Sequence, residues 1–296
     1  MSIKKTDEIM KKRLAIIGFE DIGKMHYNEL RRSDDFELVG IYSNKCGDNH
    51  ARVEIYDDIN ELFEITNPEA LIITDGIEYF DLFSKCVKAS KFIFINAPLA
   101  KSSSAIQEMK YRSNLSGAVS AMCLCDRFNP VIASLKKSLE KEDKIYSINI
   151  TCGICKDENL SMQMLYNIDL ARYLTSSEVG GFFKFESKND NKKEALSMLY
   201  ELKMKNQALV SIHGSKEYPI NRFIVEVAAK SGIYFGDLLG LKLNKYTAEG
   251  QQNLKVNCDI SPARMAQIEF GKLCELGKFE NLASFDEVLK VYGVCA

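Results

Sequence analysis

Residues 14–42 constrain the fold of this chain more than any other stretch. Leu14-Ala15-Ile16-Ile17 is an unbroken apolar run closed by Gly18, the pattern of a strand buried on both faces in a parallel sheet. Gly23 opens a segment in which Ile22, Met25 and Leu30 recur at helix-compatible spacing, and Phe36 to Tyr42 reads as the next strand. Strand, glycine turn, helix and strand make a βαβ unit whose first turn can seat a pyrophosphate at a helix N-terminus. The turn reads Gly18-Phe19-Glu20-Asp21-Ile22-Gly23, so Glu20 stands where a middle glycine is expected.

The alternation continues. Asn60 to Ile65, Tyr79 to Ala89 and Ser104 to Tyr111 have helical periodicity, and Ala70 to Thr74, Phe92 to Ile95 and Val119 to Leu124 read as strands. Such regular alternation predicts a doubly wound parallel sheet over residues 1–125. Beyond Asp126 the grammar changes. Helices are expected over Pro130 to Lys141, Leu160 to Leu174 and Pro262 to Leu276, and after Ser284, where Glu287 completes a capping-box spacing. Between them Phe182 to Glu186, Leu196 to Met204, Ala208 to His213, Phe223 to Ala229 and Ile233 to Phe235 read as strands joined by turns. Residues 126–296 are therefore expected to form an α+β domain with a largely antiparallel open sheet.

Composition excludes several function classes. A net charge of −2 with no long basic block argues against nucleic acid or an anionic membrane as partner. The segment Met1 to Arg13 is too polar for a signal peptide, and no apolar run reaches the ~18 residues of a membrane span, so a cytoplasmic protein is expected. Cys123, Cys125, Cys152 and Cys155 could supply four thiolates to zinc. On strands, however, an i,i+2 pair shares a face without a metal, no ligand histidine is near, and His26, His50 and His213 lack metal-site spacing. Free thiols and no metal are the simpler reading.

Several segments, taken in order, resemble the Gfo/Idh/MocA oxidoreductases, which use a nicotinamide cofactor on sugars, cyclitols and related polyols. They are Gly18 to His26, Ala97-Pro98-Leu99-Ala100, Arg127-Phe128-Asn129-Pro130 and Asn167-Ile168-Asp169-Leu170-Ala171. The resemblance implies a Rossmann domain followed by a substrate and oligomerisation domain. It also implies cofactor contacts from Gly18, Phe19, Ile22, Gly23, Ser43, Lys45, Thr74, Asn96 and Pro98. Relatives commonly pair through the open face of the second sheet, so a homodimer or homotetramer is expected. Phe182 to Phe185 and Phe223 to Val227 either line that interface or cover the helix-facing side.

This chain departs from the family pattern where the family does its work. Glu20 obstructs the phosphate turn and adds like-charge repulsion, although a solvent-facing, helix-capping Glu20 is the simpler reading, with Asp21 beside it. The family's Glu-Lys-Pro is Asn96-Ala97-Pro98, with Lys101 four residues on. Its His-x-x-Asp is Tyr166-Asn167-Ile168-Asp169, leaving Tyr166 and Asp169 as the catalytic candidates, while Tyr166 also suits simple packing. Thr74-Asp75-Gly76 and Tyr79 replace a proline-asparagine and a histidine common in relatives. His26 reads as packing or hydrogen-bonding locally. Ser43 and Lys45, in place of an acidic residue after the second strand, favour NADP(H) over NAD(H) if a dinucleotide binds.

Two functions stay open at this level. The clustered departures favour a catalytically impaired member, repurposed for ligand binding or regulation, with a sugar or sugar nucleotide as ligand. The alternative is an active NADP-dependent oxidoreductase acting on a sugar, sugar nucleotide or polyol, with another residue in place of the lost lysine and histidine.

Overall fold

A computed structural model describes residues 11–44, 51–75, 80–96, 102–154, 159–188 and 195–295. Two compact units emerge. The first runs through Cys123 and takes back Ala263–Glu287; the second comprises Leu124–Pro262 and the chain from Val288 on.

In the first unit β1 (Lys12–Ile17), α1 (Asp21–Leu30), β2 (Phe36–Tyr42), β3 (Ile55–Tyr56), α2 (Ile59–Thr66), β4 (Ala70–Ile73), α3 (Phe80–Ala89), β5 (Phe92–Ile95), α4 (Ser103–Ser116) and β6 (Val119–Met122) follow one another. The sheet has the order β3-β2-β1-β4-β5-β6, and all its pairings are parallel. This is the doubly wound Rossmann order, which reverses direction at β1. Leu14 to Ile17, Ala70 to Ile73 and Phe92 to Ile95 are all buried. Helices cover both faces of such a sheet, which is why these strands read as unbroken apolar runs rather than as alternation.

The return segment carries α7 (Pro262–Leu276), whose Phe270 stacks on Phe36 at 5.4 Å and meets Phe94 at 5.3 Å. An unbroken second domain from 126 onward does not anticipate this return. The apolar face of α7 completes the core of the first sheet instead.

The second unit contains α5 (Pro130–Leu139), β7 (Ile145–Gly153), α6 (Leu160–Thr175), β8 (Val179–Lys188), β9 (Ala195–Met204), β10 (Leu209–Ser215), β11 (Arg222–Ala229), β12 (Gly232–Asp237), β13 (Lys242–Thr247) and β14 (Gly250–Leu254). Helix α8 (Phe285–Cys295) closes the chain, and its Glu287 N–H donates to Ser284 Oγ at 3.3 Å, the expected cap. The eight strands run β14-β13-β12-β11-β7-β10-β9-β8, antiparallel except for the β7–β10 pair.

The strands β3, β7, β13 and β14 were not expected from the sequence. One sheet face is buried: Ile148, Ile150, Ile212, Val225 and Val227 are all at most 1% exposed. A Cβ on Gly214 of this face would meet Met164 and Leu160 of α6, and one on Gly236 would meet Val131 of α5, so this is the helix-facing side. Val225 and Val227 therefore cover helices, while Phe183 and Phe185 of the edge strand β8 stand 72% and 59% exposed. No helix among the described residues is long and apolar enough to cross a membrane.

Candidate functional site

In the first unit the site is built at the carboxyl ends of β1, β2, β4 and β5. Gly18 ends β1 with φ +97°, a conformation costly for any residue with a side chain. A Cβ there would come within 2.8 Å of Thr74 Oγ1 and 2.7 Å of Asp75 Cβ. A Cβ on Gly23 would land on the Gly18 carbonyl oxygen. The two glycines thus let α1 start directly against the end of β1. The Thr74 hydroxyl donates to the Gly18 carbonyl at 3.0 Å, and the Gly18 N–H donates to the Tyr42 carbonyl at 2.9 Å. Gly18, Gly23 and Thr74 are therefore brought together, and Thr74 acts by shaping the turn.

Glu20 occupies the N-cap position of α1, is exposed and makes no side-chain capping hydrogen bond. The expected capping role is not realised, and Asp21 lies in the first helical turn. First-turn N–H groups have no partner within their own helix, so an uncapped start suits an anion. Phe19 turns inward, 8% exposed, with its ring edge-on to Tyr27 at 5.6 Å. Ile22 is half-buried. Ser43, also half-buried, donates its backbone N–H to the Tyr56 carbonyl at 3.0 Å, beyond the end of β2. The backbone of this cradle fits a dinucleotide pyrophosphate, and its tight glycines are what a close backbone approach requires. Lys45, Gly76, Tyr79, Ala97, Pro98 and Lys101 lie outside the described residues.

Asn96 follows β5 and is 4% exposed. Its amide lies 2.7 Å from His26 Nε2, and the Gln267 amide nitrogen lies 3.0 Å from both His26 Nδ1 and the His26 carbonyl. The expectation of a local partner for His26 is thus corrected: its partners are 70 and 241 residues away. Burial lowers the His26 pKa to about 4, so the ring is neutral, with one donor and one acceptor facing two carboxamides.

In the second unit Asn159 caps α6 through the Met162 N–H at 3.2 Å. Tyr166 on this helix is half-buried. Asp169 is 1% exposed and accepts from Arg127 Nε at 2.7 Å and Nη2 at 2.6 Å, with Arg172 Nη1 at 3.6 Å. Arg172 also pairs with Glu178, whose carboxyl this contact and Lys290 hold down to about 2. Both oxygens of Asp169 are engaged by guanidinium groups.

The residue that sequence reasoning missed is Asp126. It lies on the 3-10 turn Cys125–Phe128 and is half-buried; burial, aided by Asp169 and opposed by a hydrogen bond from Gln163, pushes its carboxyl up to about 6. Cys123 is buried and Cys125 exposed, so they do not form the same-face pair imagined on a strand, and Cys155 lies outside the described residues. No group of three or more His, Cys, Asp or Glu among the described residues is placed to hold a metal.

Residues 12–121 match the model of the Gfo/Idh/MocA oxidoreductase family, an NAD-binding Rossmann fold. No curated protein matches the chain in sequence. Among solved structures, UDP-N-acetylglucosamine 3-dehydrogenase GnnA from Acidithiobacillus ferrooxidans superposes with a TM-score of 0.80 at 13% identity, covering 96% of this chain and 95% of its own. A putative NADPH-dependent oxidoreductase from Desulfitobacterium hafniense gives 0.80 at 13% identity, covering 96% and 93%. GenD2 from gentamicin A biosynthesis, solved in complex with NAD, gives 0.75 at 12% identity, covering 99% and 95%. At these identities the likeness establishes the fold across both units. The glycine turn, the strand order and the family match agree over residues 12–121: this stretch carries the NAD-binding Rossmann fold of the Gfo/Idh/MocA oxidoreductase family.

Proposed function

We propose that the chain is a dinucleotide-dependent oxidoreductase acting on a sugar-type ligand, with the family's acid–base residues replaced. The observation that carries this reading is the Gly18–Gly23 turn, which keeps its close-packed geometry although Glu20 occupies its middle. Glu20 is exposed, and the start of α1 carries no side-chain cap. When bound, the nicotinamide supplies a hydride acceptor or donor. The protein's part is to seat the pyrophosphate on the α1 N-terminus and to shape the turn through Thr74.

Ser43 and Lys45, in place of an acidic residue, support NADP(H) over NAD(H). Among the solved neighbours one is described as NADPH-dependent and another is bound to NAD, so the preference rests on these two residues. The likeness to a UDP-N-acetylglucosamine dehydrogenase supports a sugar nucleotide as ligand. Self-association fits the open face of the second sheet, where Phe183, Phe185 and Leu209 are 58% exposed or more. A monomer in light scattering would count against it.

A second reading, a ligand-binding protein without turnover, draws on the Arg127–Asp169 pair. An Asp169 held at both oxygens is poorly placed to serve as a base. Incubation of the purified chain with NADP⁺ or NAD⁺ and a panel of UDP-sugars, read by absorbance of the reduced cofactor, separates the two. Slow reduction, faster with NADP⁺, supports the oxidoreductase. Cofactor binding without any reduction supports the second reading.

A further inference from the structure

Strand β8 ends the second sheet: β9 pairs with one of its edges, and no strand among the described residues lies beyond the other. It is ten residues long, and Gly180 to Lys188 are all exposed. The opposite end of the sheet is unlike it. There β14 has five residues, Gly250-Gln251-Gln252-Asn253-Leu254, mostly polar. An exposed edge is a template for another strand, and short or polar edge strands are how proteins avoid such pairing. β8 instead presents Phe182, Phe183 and Phe185 at 39%, 72% and 59% exposure, with no proline to block a partner.

The side chains of β8 divide between two faces. Phe183 and Phe185 stand opposite Glu201 and Leu199 on the open face, whereas Phe182, Lys184 and Glu186 stand opposite the buried Leu202, Tyr200 and Met198. Lys184 and Lys188 pair with Glu186 at 2.6 and 2.7 Å. Alternate residues of a strand point N–H and C=O to the same edge, so two copies of β8 pair antiparallel only with residues of equal parity opposed. An axis at Lys184 sets lysine on lysine, one at Glu186 sets glutamate on glutamate, and one at Phe183 sets Glu186 on the partner's Gly180. An axis at Phe185 sets Lys184 on the partner's Glu186, Phe183 on the partner's Ser187 and Phe182 on the partner's Lys188.

We propose that β8 is an edge-to-edge docking strand for a second copy of this chain, with the two-fold axis at Phe185. The register is self-complementary in charge, because Lys184 and Glu186 oppose each other twice across the axis, on the side away from Phe183 and Phe185. On the open face Phe185 meets its own copy, and Phe183 reaches that ring along the diagonal. Register shifts between Val179 and Gly181 and between Ser187 and Lys188 bound the regular stretch that pairs. The outward N–H and C=O groups of both strands are satisfied, and one sheet runs through both copies. This contact goes beyond association through the open sheet face, in which Lys184 and Glu186 take no part, and it does not rest on the oxidoreductase reading.

Sedimentation velocity of the full chain over a concentration series reads the assembly; a particle of two chains, each 33.5 kDa, is expected. Lys184→Glu opposes like charges twice across the axis and should raise the dissociation constant by about tenfold or more. Lys184→Glu with Glu186→Lys sets opposite charges across the axis again and should recover most of that loss. Leu209→Ser, on the open face of β10, should leave the dissociation constant unchanged. A second readout is covalent: Phe185→Cys should form a cross-linked dimer under copper–phenanthroline oxidation, because directly opposed residues of an antiparallel pair lie within disulfide reach. The wild type, with its exposed Cys125 and Cys258, is the control. A monomeric wild type, or no cross-linking of Phe185→Cys beyond that control, overturns the proposal. A dimer weakened by Leu209→Ser and indifferent to Lys184→Glu overturns it too, and leaves association through the open face standing.

Discussion

Arg127 and Asp169, 42 residues apart, form a closed bidentate pair in the interior of the second unit, with donor–acceptor distances of 2.7 and 2.6 Å. Fork-on-carboxylate geometry of this kind fixes the 3-10 turn to α6. Removing one partner strands a buried charge, whereas removing both does not. Arg127→Met should therefore destabilise the chain by about 3–5 kcal/mol, and Arg127→Met with Asp169→Leu should recover more than half of that loss. Denaturant melts of the two single variants and the double variant check this. Additive losses would show that the pair is not coupled.

The buried His26 should make the chain acid-sensitive. Above pH 6.5 the ring is neutral in both folded and unfolded states and contributes no pH dependence. Between 6.5 and about 4 the unfolded chain takes the proton and the folded chain does not, so stability falls as pH falls, by about 3 kcal/mol in all. Below about 4 the folded ring also protonates and this dependence ends. Asn96→Asp places a carboxylate beside Nε2 and should raise the His26 pKa, flattening the stability curve between pH 6.5 and 4. Melts of wild type and Asn96→Asp across that range provide the comparison; parallel curves would contradict the account.

Gly23→Ala sets a methyl group against the Gly18 carbonyl oxygen, a backbone atom that cannot move without shifting the turn. A loss of about 1–3 kcal/mol is expected, along with loss of the melting-temperature gain that NADPH should give the wild type. Gly117→Ala is the control for stability, since its φ of +72° strains an alanine while open space surrounds the Cβ. It should cost stability yet keep the NADPH response. Equal NADPH responses in wild type and Gly23→Ala would remove the turn from the cofactor site.

The fold was legible where burial on both faces writes a continuous signal. Leu14 to Ile17 and Phe92 to Ile95 announce themselves as apolar runs, and Phe36 to Tyr42 is bounded as expected. Strand β7 carries a legible pattern: Ile148, Ile150 and Cys152 alternate with Ser147, Asn149 and Thr151, the period of a half-buried strand. Strand β14 lies at the sheet's edge with β13 beside it, both with mostly polar residues, and β3 is two residues long, so none carries an apolar pattern.

The turn glycines were readable because their conformational need is local. The lock on Asp169, the Asn96–His26–Gln267 cluster and the Asp126 environment were not, because each joins residues distant in the chain. Asp126 stands immediately before the Arg127-Phe128-Asn129-Pro130 motif. Only the packing of the turn on α6 gives that carboxyl a meaning.

The central claim, that the altered turn still seats a dinucleotide, is tested most directly by calorimetric titration of ligand-stripped chain with NADPH and NADH, in the wild type and in Glu20→Gly. Micromolar NADPH binding is predicted, weaker for NADH. Glu20→Gly should bind about tenfold tighter, which corresponds to the relief of about 1.4 kcal/mol of repulsion. Absence of binding of either cofactor to both proteins would contradict the account and leave the Rossmann unit as a scaffold for another ligand.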